Sequence, residues 1–193
     1  MATINTVEQV VNALKNGNVA VVPTDTLYGI VVLAKNKDAV KKLYKIKQRD
    51  NNKPCIILIN DISQIDQFNI KINNEKEEFL NNIWPGPVSV ILSCNDKKFT
   101  YLHKGLNSIA FRLISKKSRN LYNIISQTGP LLAPSANPQG QEPATCVYGA
   151  RRYFGTNVDA YLCGGTRKNK ASTIVDYTND KYKIIRQGDF KIK

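Results

Sequence analysis

Val19-Ala20-Val21-Val22-Pro23-Thr24-Asp25-Thr26-Leu27-Tyr28-Gly29-Ile30-Val31-Val32-Leu33 is the stretch on which the fold turns. Val19 to Pro23 is short, apolar and rich in β-branched residues, which marks a buried strand. Ile30 to Leu33 is a second apolar run, and a polar turn, Thr24 to Gly29, separates the two. The end of a strand is where α/β proteins place ligands. Two hydroxyls and a carboxylate stand there. They suit a ligand, but an ordinary turn in which they cap backbone groups accounts for them better.

Outward from this stretch, helix and strand signals alternate. Thr6-Val7-Glu8-Gln9 reads as a capping box, Val7, Val10, Val11 and Leu14 form a helical stripe, and Gly17 stops it. Residues 37 to 47, a stretch from Ser63, residues 75 to 83 and residues 117 to 127 read as helices. Thr145 reads as the cap of a further helix through Phe154. Strands are expected at Cys55 to Ile59, Val88 to Leu92, Ser108 to Leu113, Leu131 to Ala133, Val158 to Leu162, Thr173 to Asp176 and Tyr182 to Arg186. Many strands with interspersed helices mean an α/β protein with one sizeable mixed sheet flanked by helices. No linker or repeat interrupts the 193 residues, so one domain over 1–193 is expected.

Composition narrows the class. Hydrophobic residues are 42% and charged residues 22%, the balance of a globular protein. The longest apolar stretches, Gly29 to Ala34 and Cys55 to Ile59, fall far short of the ~20 residues of a membrane helix. Met1-Ala2-Thr3-Ile4-Asn5 has neither a basic nor an apolar leader segment, so a cytoplasmic protein is expected. Lys and Arg number 28 against 15 Asp and Glu, a net charge of +13. Such a field concentrates nucleotides and nucleic acid, or it merely coats the surface. The four cysteines, Cys55, Cys94, Cys146 and Cys163, are scattered, and His103 is the single histidine. No zinc site is expected; buried free thiols account for the cysteines.

Four further segments carry chemistry. Val40, Leu43 and Tyr44 form the buried face of a helix, and position 47 continues that stripe, yet it is Lys. A cation there is costly unless an anion meets it, and Arg49 and Lys53 follow in the loop. Phosphate suits a Lys point charge and an Arg fork; a helix that has already ended would leave all three in water. Arg112 closes the apolar strand Ser108 to Leu113. Ala133-Pro134-Ser135-Ala136-Asn137 is a strand end running into a small-residue loop. Gly164-Gly165-Thr166 leads to Ser172 and Thr173 at a strand entrance, with Arg186 at the end of the next strand. No G-x-x-x-x-G-K-[ST] or G-x-G-x-x-G is present, and one histidine without G-x-S-x-G argues against a serine-hydrolase triad.

In this order the segments resemble the YrdC/TsaC family of L-threonylcarbamoyladenylate synthases. The resemblance rests on Pro23 to Gly29, Lys47-Gln48-Arg49 with Lys53-Pro54, Trp84-Pro85-Gly86-Pro87, Phe111-Arg112, Ser135-Ala136-Asn137, Ser172-Thr173-Ile174-Val175-Asp176 and Arg186. It implies a twisted α/β sheet with a basic concave face. It also implies a reaction in which L-threonine, bicarbonate and ATP give L-threonylcarbamoyl-AMP and pyrophosphate. A partner transferase complex would then pass the threonylcarbamoyl group to tRNA beside the anticodon. By position, Thr24, Arg112 and Ser172 would hold threonine, with Arg112 on its carboxylate and Ala133 contributing backbone contacts. Lys47, Arg49, Ser108, Ser135, Asn137 and Arg186 would line the ATP site, Lys47 and Arg49 as the catalytic cations and Lys53 as a further neighbour. Mg²⁺ would arrive with ATP, bridging phosphates rather than sitting in a protein cage.

Elementary chemistry agrees. A carbamate and a triphosphate repel each other, and phosphorus transfers depend on positioning and on cations aimed at developing charge. Two departures stand out. Many family members have a His shortly after the Lys-Pro step, where this chain has Cys55-Ile56-Ile57-Leu58. The chain also ends seven residues past Arg186, like the short bacterial form, without the linker that follows in longer members. Two other readings compete. One is a non-catalytic module for double-stranded RNA or tRNA, supported by the charge and by Lys116-Lys117-Ser118-Arg119, Arg151-Arg152 and Arg167-Lys168-Asn169-Lys170. The other is the related domain of hydrogenase-maturation carbamoyltransferases, whose cysteine-rich zinc motifs and acylphosphatase domain are missing here.

Overall fold

Thr6 opens the first helix with the expected box: its hydroxyl accepts from Gln9 N while the Gln9 side chain accepts from Thr6 N. A computed structural model describes residues 4–192. Met1 to Thr3, on which part of the leader reading rests, and Lys193 lie outside the described residues. Six α-helices are described: α1 (Val7–Lys15), α2 (Lys37–Ile46), α3 (Asn74–Ile83), α4 (Thr100–His103), α5 (Arg119–Thr128) and α6 (Val147–Phe154). The strands are β1 (Ala20–Pro23), β2 (Tyr28–Leu33), β3 (Ile57–Ile59), β4 (Val88–Ser93), β5 (Ser108–Leu113), β6 (Leu131–Leu132), β7 (Ala160–Tyr161), β8 (Thr173–Asp176) and β9 (Lys183–Arg186).

They form one mixed sheet in the order β7-β1-β2-β6-β3-β5-β4-β8-β9. β1 with β7, β3 with β5, and β4 with β8 run parallel; the other neighbours are antiparallel. Alternation along each strand sorts side chains onto two faces. Val21, Ile30, Ile57, Phe111, Val90 and Val175 share one face with residues of α2, α3 and α6 in the larger core. Ala20, Val22, Val31, Leu58 and Leu131 point the other way and pack with Val10, Leu14, Leu121 and Ile125 of α1 and α5. Those two helices cover only the β7–β3 half of that second face. On the β5–β9 half the same face carries Arg112, Ala110, Ser108, Ile91, Ser93, Ile174 and Arg186, with no helix of the second core above it. The site lies where cover gives way to open sheet.

Several expectations are corrected here. The element from Ser63 is a 3-10 helix, Ile62–Phe68, held by Asp61 as its cap. α4 and its preceding 3-10 turn, Lys97–Phe99, carry no sequence signal long enough to read. Thr145 does not cap α6: Cys146 is the N-cap, without a side-chain hydrogen bond, and the Thr145 carbonyl instead accepts from Arg167 N at 2.7 Å. All four cysteines are free, but only Cys55 and Cys94 are buried; Cys163, just past β7, is exposed.

Candidate functional site

The turn after β1 is short because its own hydroxyls close it. Thr24 Oγ1 donates to Leu27 O at 2.6 Å and accepts from Thr26 N at 3.2 Å. The turn reading of these hydroxyls therefore holds, and Thr24 and Thr26 also form the floor of a cavity of about 340 Å³. Gly29 lines it as well. A Cβ at Gly29 would stand 3.1 Å from Thr24 Cγ2, so β2 passes as close to the turn as a glycine allows.

Around this floor the fold gathers sequence-remote residues. Arg49, Arg112, Ala133, Ser135, Ser172 and Arg186 all line the cavity, together with Thr24. Arg112, next to last in β5, is 5% exposed. Its Nη2 stands 2.9 Å from Asp25 Oδ1, while its Nε is buried with no hydrogen-bond partner. An orphaned, buried guanidinium nitrogen at a cavity wall is a donor waiting for an acceptor. Arg186 donates from Nε and Nη2 to Ser172 O at 3.1 and 2.9 Å, and Ser172 Oγ lies 3.0 Å from Ser89 Oγ. Arg49 donates to the carbonyls of Lys53 and Pro54 at 3.0 and 2.9 Å. Burial, and then the neighbouring Arg112, lower the Arg186 pKa. Three guanidiniums thus face one space that no carboxylate lines. The arrangement can bind and neutralise anions.

Four predicted residues are placed elsewhere. Lys47 continues the α2 stripe as expected and is 1% exposed, but no anion meets it. Its Nζ donates to Ser135 O at 2.6 Å, to Asn137 O, and to Asn137 Oδ1 at 3.3 Å. Carbonyl oxygens satisfy this cation, so Lys47 anchors the 135–137 loop from behind the cavity wall. Burial first, and Arg49 second, lower its pKa from 10.5 to about 8. Asn137 spends its amide on Pro138 O and Gln141 O, within the same loop. Neither lines the cavity. Ser108 shares a face with Arg112 but stands four residues down β5, about 13 Å away at strand rise. Only an extended ligand lying along the open sheet reaches both. The Lys53 side chain is exposed and outside the cavity lining.

Sequence reasoning offered Asp25 and Thr26 as ligand groups of the turn without assigning them a role, and it missed Tyr28 and Ser89. Tyr28 OH donates to Gly165 O at 2.8 Å and accepts from Gly164 N at 2.9 Å, which pins the Gly-Gly turn beside the site. Thr26 and Tyr28 sit inside the quoted stretch, so their neighbourhood was the signal; Ser89 had none. Trp84-Pro85-Gly86-Pro87 has a framing role. Trp84 Nε1 donates to Val88 O at 2.8 Å and Pro87 O accepts from Thr173 N at 3.0 Å, seating β8 and Ser172 beside β4.

Comparison with known proteins places these features in context. The family model Sua5_yciO_yrdC, described as telomere recombination, matches residues 12–188. A threonylcarbamoyl-AMP synthase of Vibrio campbellii is 30% identical over 185 residues, covering 94% of this chain and 98% of that protein. One from Bacillus subtilis is also 30% identical over 185 residues, covering 94% of this chain and 53% of that protein. The chain thus spans about half the length of the Bacillus subtilis relative and of one from Pyrococcus abyssi. The crystal structure of Pyrococcus abyssi Sua5 complexed with L-threonine superimposes with a TM-score of 0.87 at 26% identity, over 94% of this chain and 54% of that one. Escherichia coli YciO matches in fold, with a TM-score of 0.85 at 23% identity over 97% and 91% of the two chains.

Proposed function

This chain belongs to the Sua5/YciO/YrdC family, and from that membership we propose that it is a nucleotidyltransferase making L-threonylcarbamoyl-AMP and pyrophosphate from L-threonine, bicarbonate and ATP. The observation that carries the reading is the cavity lined by Arg49, Arg112 and Arg186 with no carboxylate and no histidine among its lining residues. In the reaction the threonine amine bonds to the bicarbonate carbon with loss of water. A carbamate oxygen then attacks the α-phosphorus, and pyrophosphate leaves. The carbamate and the triphosphate are both anionic, so the chain's task is to hold them together against their repulsion.

Arg112, with its free Nε, takes the threonine carboxylate; Thr24, Ser172 and the Ala133 backbone surround the amino acid. Arg49, Arg186 and Ser135 face the phosphates. Lys47 and Asn137 keep the Ser135 loop in place and come to the nucleotide only through it. Ser108 serves the far end of an ATP molecule laid along the open sheet. Among the described residues no group of three or more His, Cys, Asp or Glu could hold a metal. Mg²⁺ would come as a companion of ATP, where it would neutralise phosphate charge. The adenylate is a labile donor, so a threonylcarbamoyl transferase complex acting on tRNA is its natural consumer. The +13 charge supports direct tRNA contact, with affinity that falls as salt rises. No helix among the described residues is long and apolar enough to cross a membrane.

Pyrophosphate release tests the reading. We expect release from ATP that needs both L-threonine and bicarbonate and falls to background when either is omitted. Equal release without threonine contradicts it.

A further inference from the structure

We propose that Asp25 determines specificity for a zwitterionic amino acid over the matching simple carboxylate; the inference rests on the threonine reading above. Three cations line the cavity, and two of them, Arg49 and Arg186, donate to neutral carbonyls. Arg112 alone of the three has a carboxylate partner among the described residues. Left uncompensated, three guanidiniums would attract any small anion and repel the ammonium group of an amino acid.

The geometry says what Asp25 contributes. Its Oδ1 stands 2.9 Å from Arg112 Nη2, with the two side chains 17% and 6% exposed. Yet Oδ1 makes no aligned hydrogen bond, so the contact is an ion pair rather than a directional clamp. The pair is shielded from water, so its field reaches into the cavity with little screening. Meanwhile Arg112 Nε is buried and unpartnered, free to donate to an incoming carboxylate. The pair therefore offers a donor for the carboxylate of a ligand without presenting a full net positive charge to its ammonium. A zwitterion gains from both features; an anion without the ammonium loses from the second.

Two ligands that share a carboxylate and a hydroxyl separate the effects: L-threonine, and 3-hydroxybutyrate, which lacks the ammonium. Their affinities are measured by calorimetry on the wild type and on Asp25→Asn, Asp25→Ser and Asp25→Glu, with melting curves for each. The wild type should prefer threonine. Removal of the charge in Asp25→Asn should lower the threonine-to-hydroxybutyrate ratio on the order of tenfold, as a neighbouring unit charge in such a site predicts. Asp25→Glu should largely restore the ratio. Asp25→Ser, with less bulk, makes the same comparison where the amide does not fit. A wild-type ratio in a folded neutral variant overturns the proposal while leaving the threonine site standing. A wild type that binds hydroxybutyrate but not threonine overturns the threonine reading itself, and this inference with it.

Discussion

Arg112→Ala is expected to raise the L-threonine concentration needed for half-maximal turnover by about 30- to 1000-fold, while the ATP requirement moves only a few-fold. The range corresponds to ~2–4 kcal/mol, the usual effect of truncating one partner of a buried charge pair. Arg112 is the right residue for so selective an effect. It lies at the cavity wall with an unpartnered Nε, and its one ionic partner among the described residues, Asp25, is not a substrate group. Arg112→Lys should recover little, because a point charge cannot reproduce the planar fork. The melting temperature should fall as well, since Asp25 then keeps a half-buried charge without its partner. Steady-state kinetics with each substrate varied in turn is the check. Unchanged threonine dependence in a folded variant would remove Arg112 from the amino-acid site.

The second large effect is expected at Lys47. Adenylate formation by Lys47→Ala should drop on the order of 100-fold, the scale expected when loss of an anchor lets the Ser135 loop shift by about an ångström. An inward cation reads from the sequence as a burden whose removal spares the fold, and the structure reverses that. Truncation leaves Asn137 O without its buried donor, at roughly 1–3 kcal/mol for a group left unsatisfied, and leaves Ser135 O with the Asn137 N–H alone. Relief of the buried charge offsets part of this, so a net loss of about 2 kcal/mol is expected in chemical denaturation. The pH dependence identifies the cause. The folded pKa of Lys47 lies near 8 and the free value is 10.5. Between these values the unfolded chain binds more protons than the folded one. Burial of the charge therefore costs its full amount below pH 8, and the cost disappears as the pH rises towards 10.5. Wild-type stability relative to Lys47→Ala should accordingly increase across that window. A flat difference would mean that the ammonium is better solvated than its three oxygen partners indicate.

Much of this site was legible because strands announce themselves. Val19 to Pro23 and Ser108 to Leu113 are apolar runs with polar ends, and the ends are where Thr24 and Arg112 now stand. The α2 stripe likewise placed Lys47 inward, since a helix period carries burial along with it. What could not be read was whom these residues meet. Asp25 and Arg112 are separated by 87 positions, and only the sheet order, with β6 and β3 inserted between β2 and β5, brings the turn to the end of β5. Lys47 reads as a phosphate ligand until the 135–137 carbonyls fold over it. Thr145 fails as a cap for a similar reason, because its carbonyl is held by Arg167 N in a segment 22 residues later. Local signals specify elements and their faces; partners from distant segments depend on topology.

The reaction assigned to the arginine-lined cavity is tested most directly by following atoms. With carbon-labelled bicarbonate, unlabelled L-threonine and ATP, the product is isolated and its mass and label are determined. The account predicts one adenylate that contains both the bicarbonate carbon and threonine, formed in step with pyrophosphate. An adenylate of threonine that carries no label, or ATP cleavage without any adenylate, would contradict it.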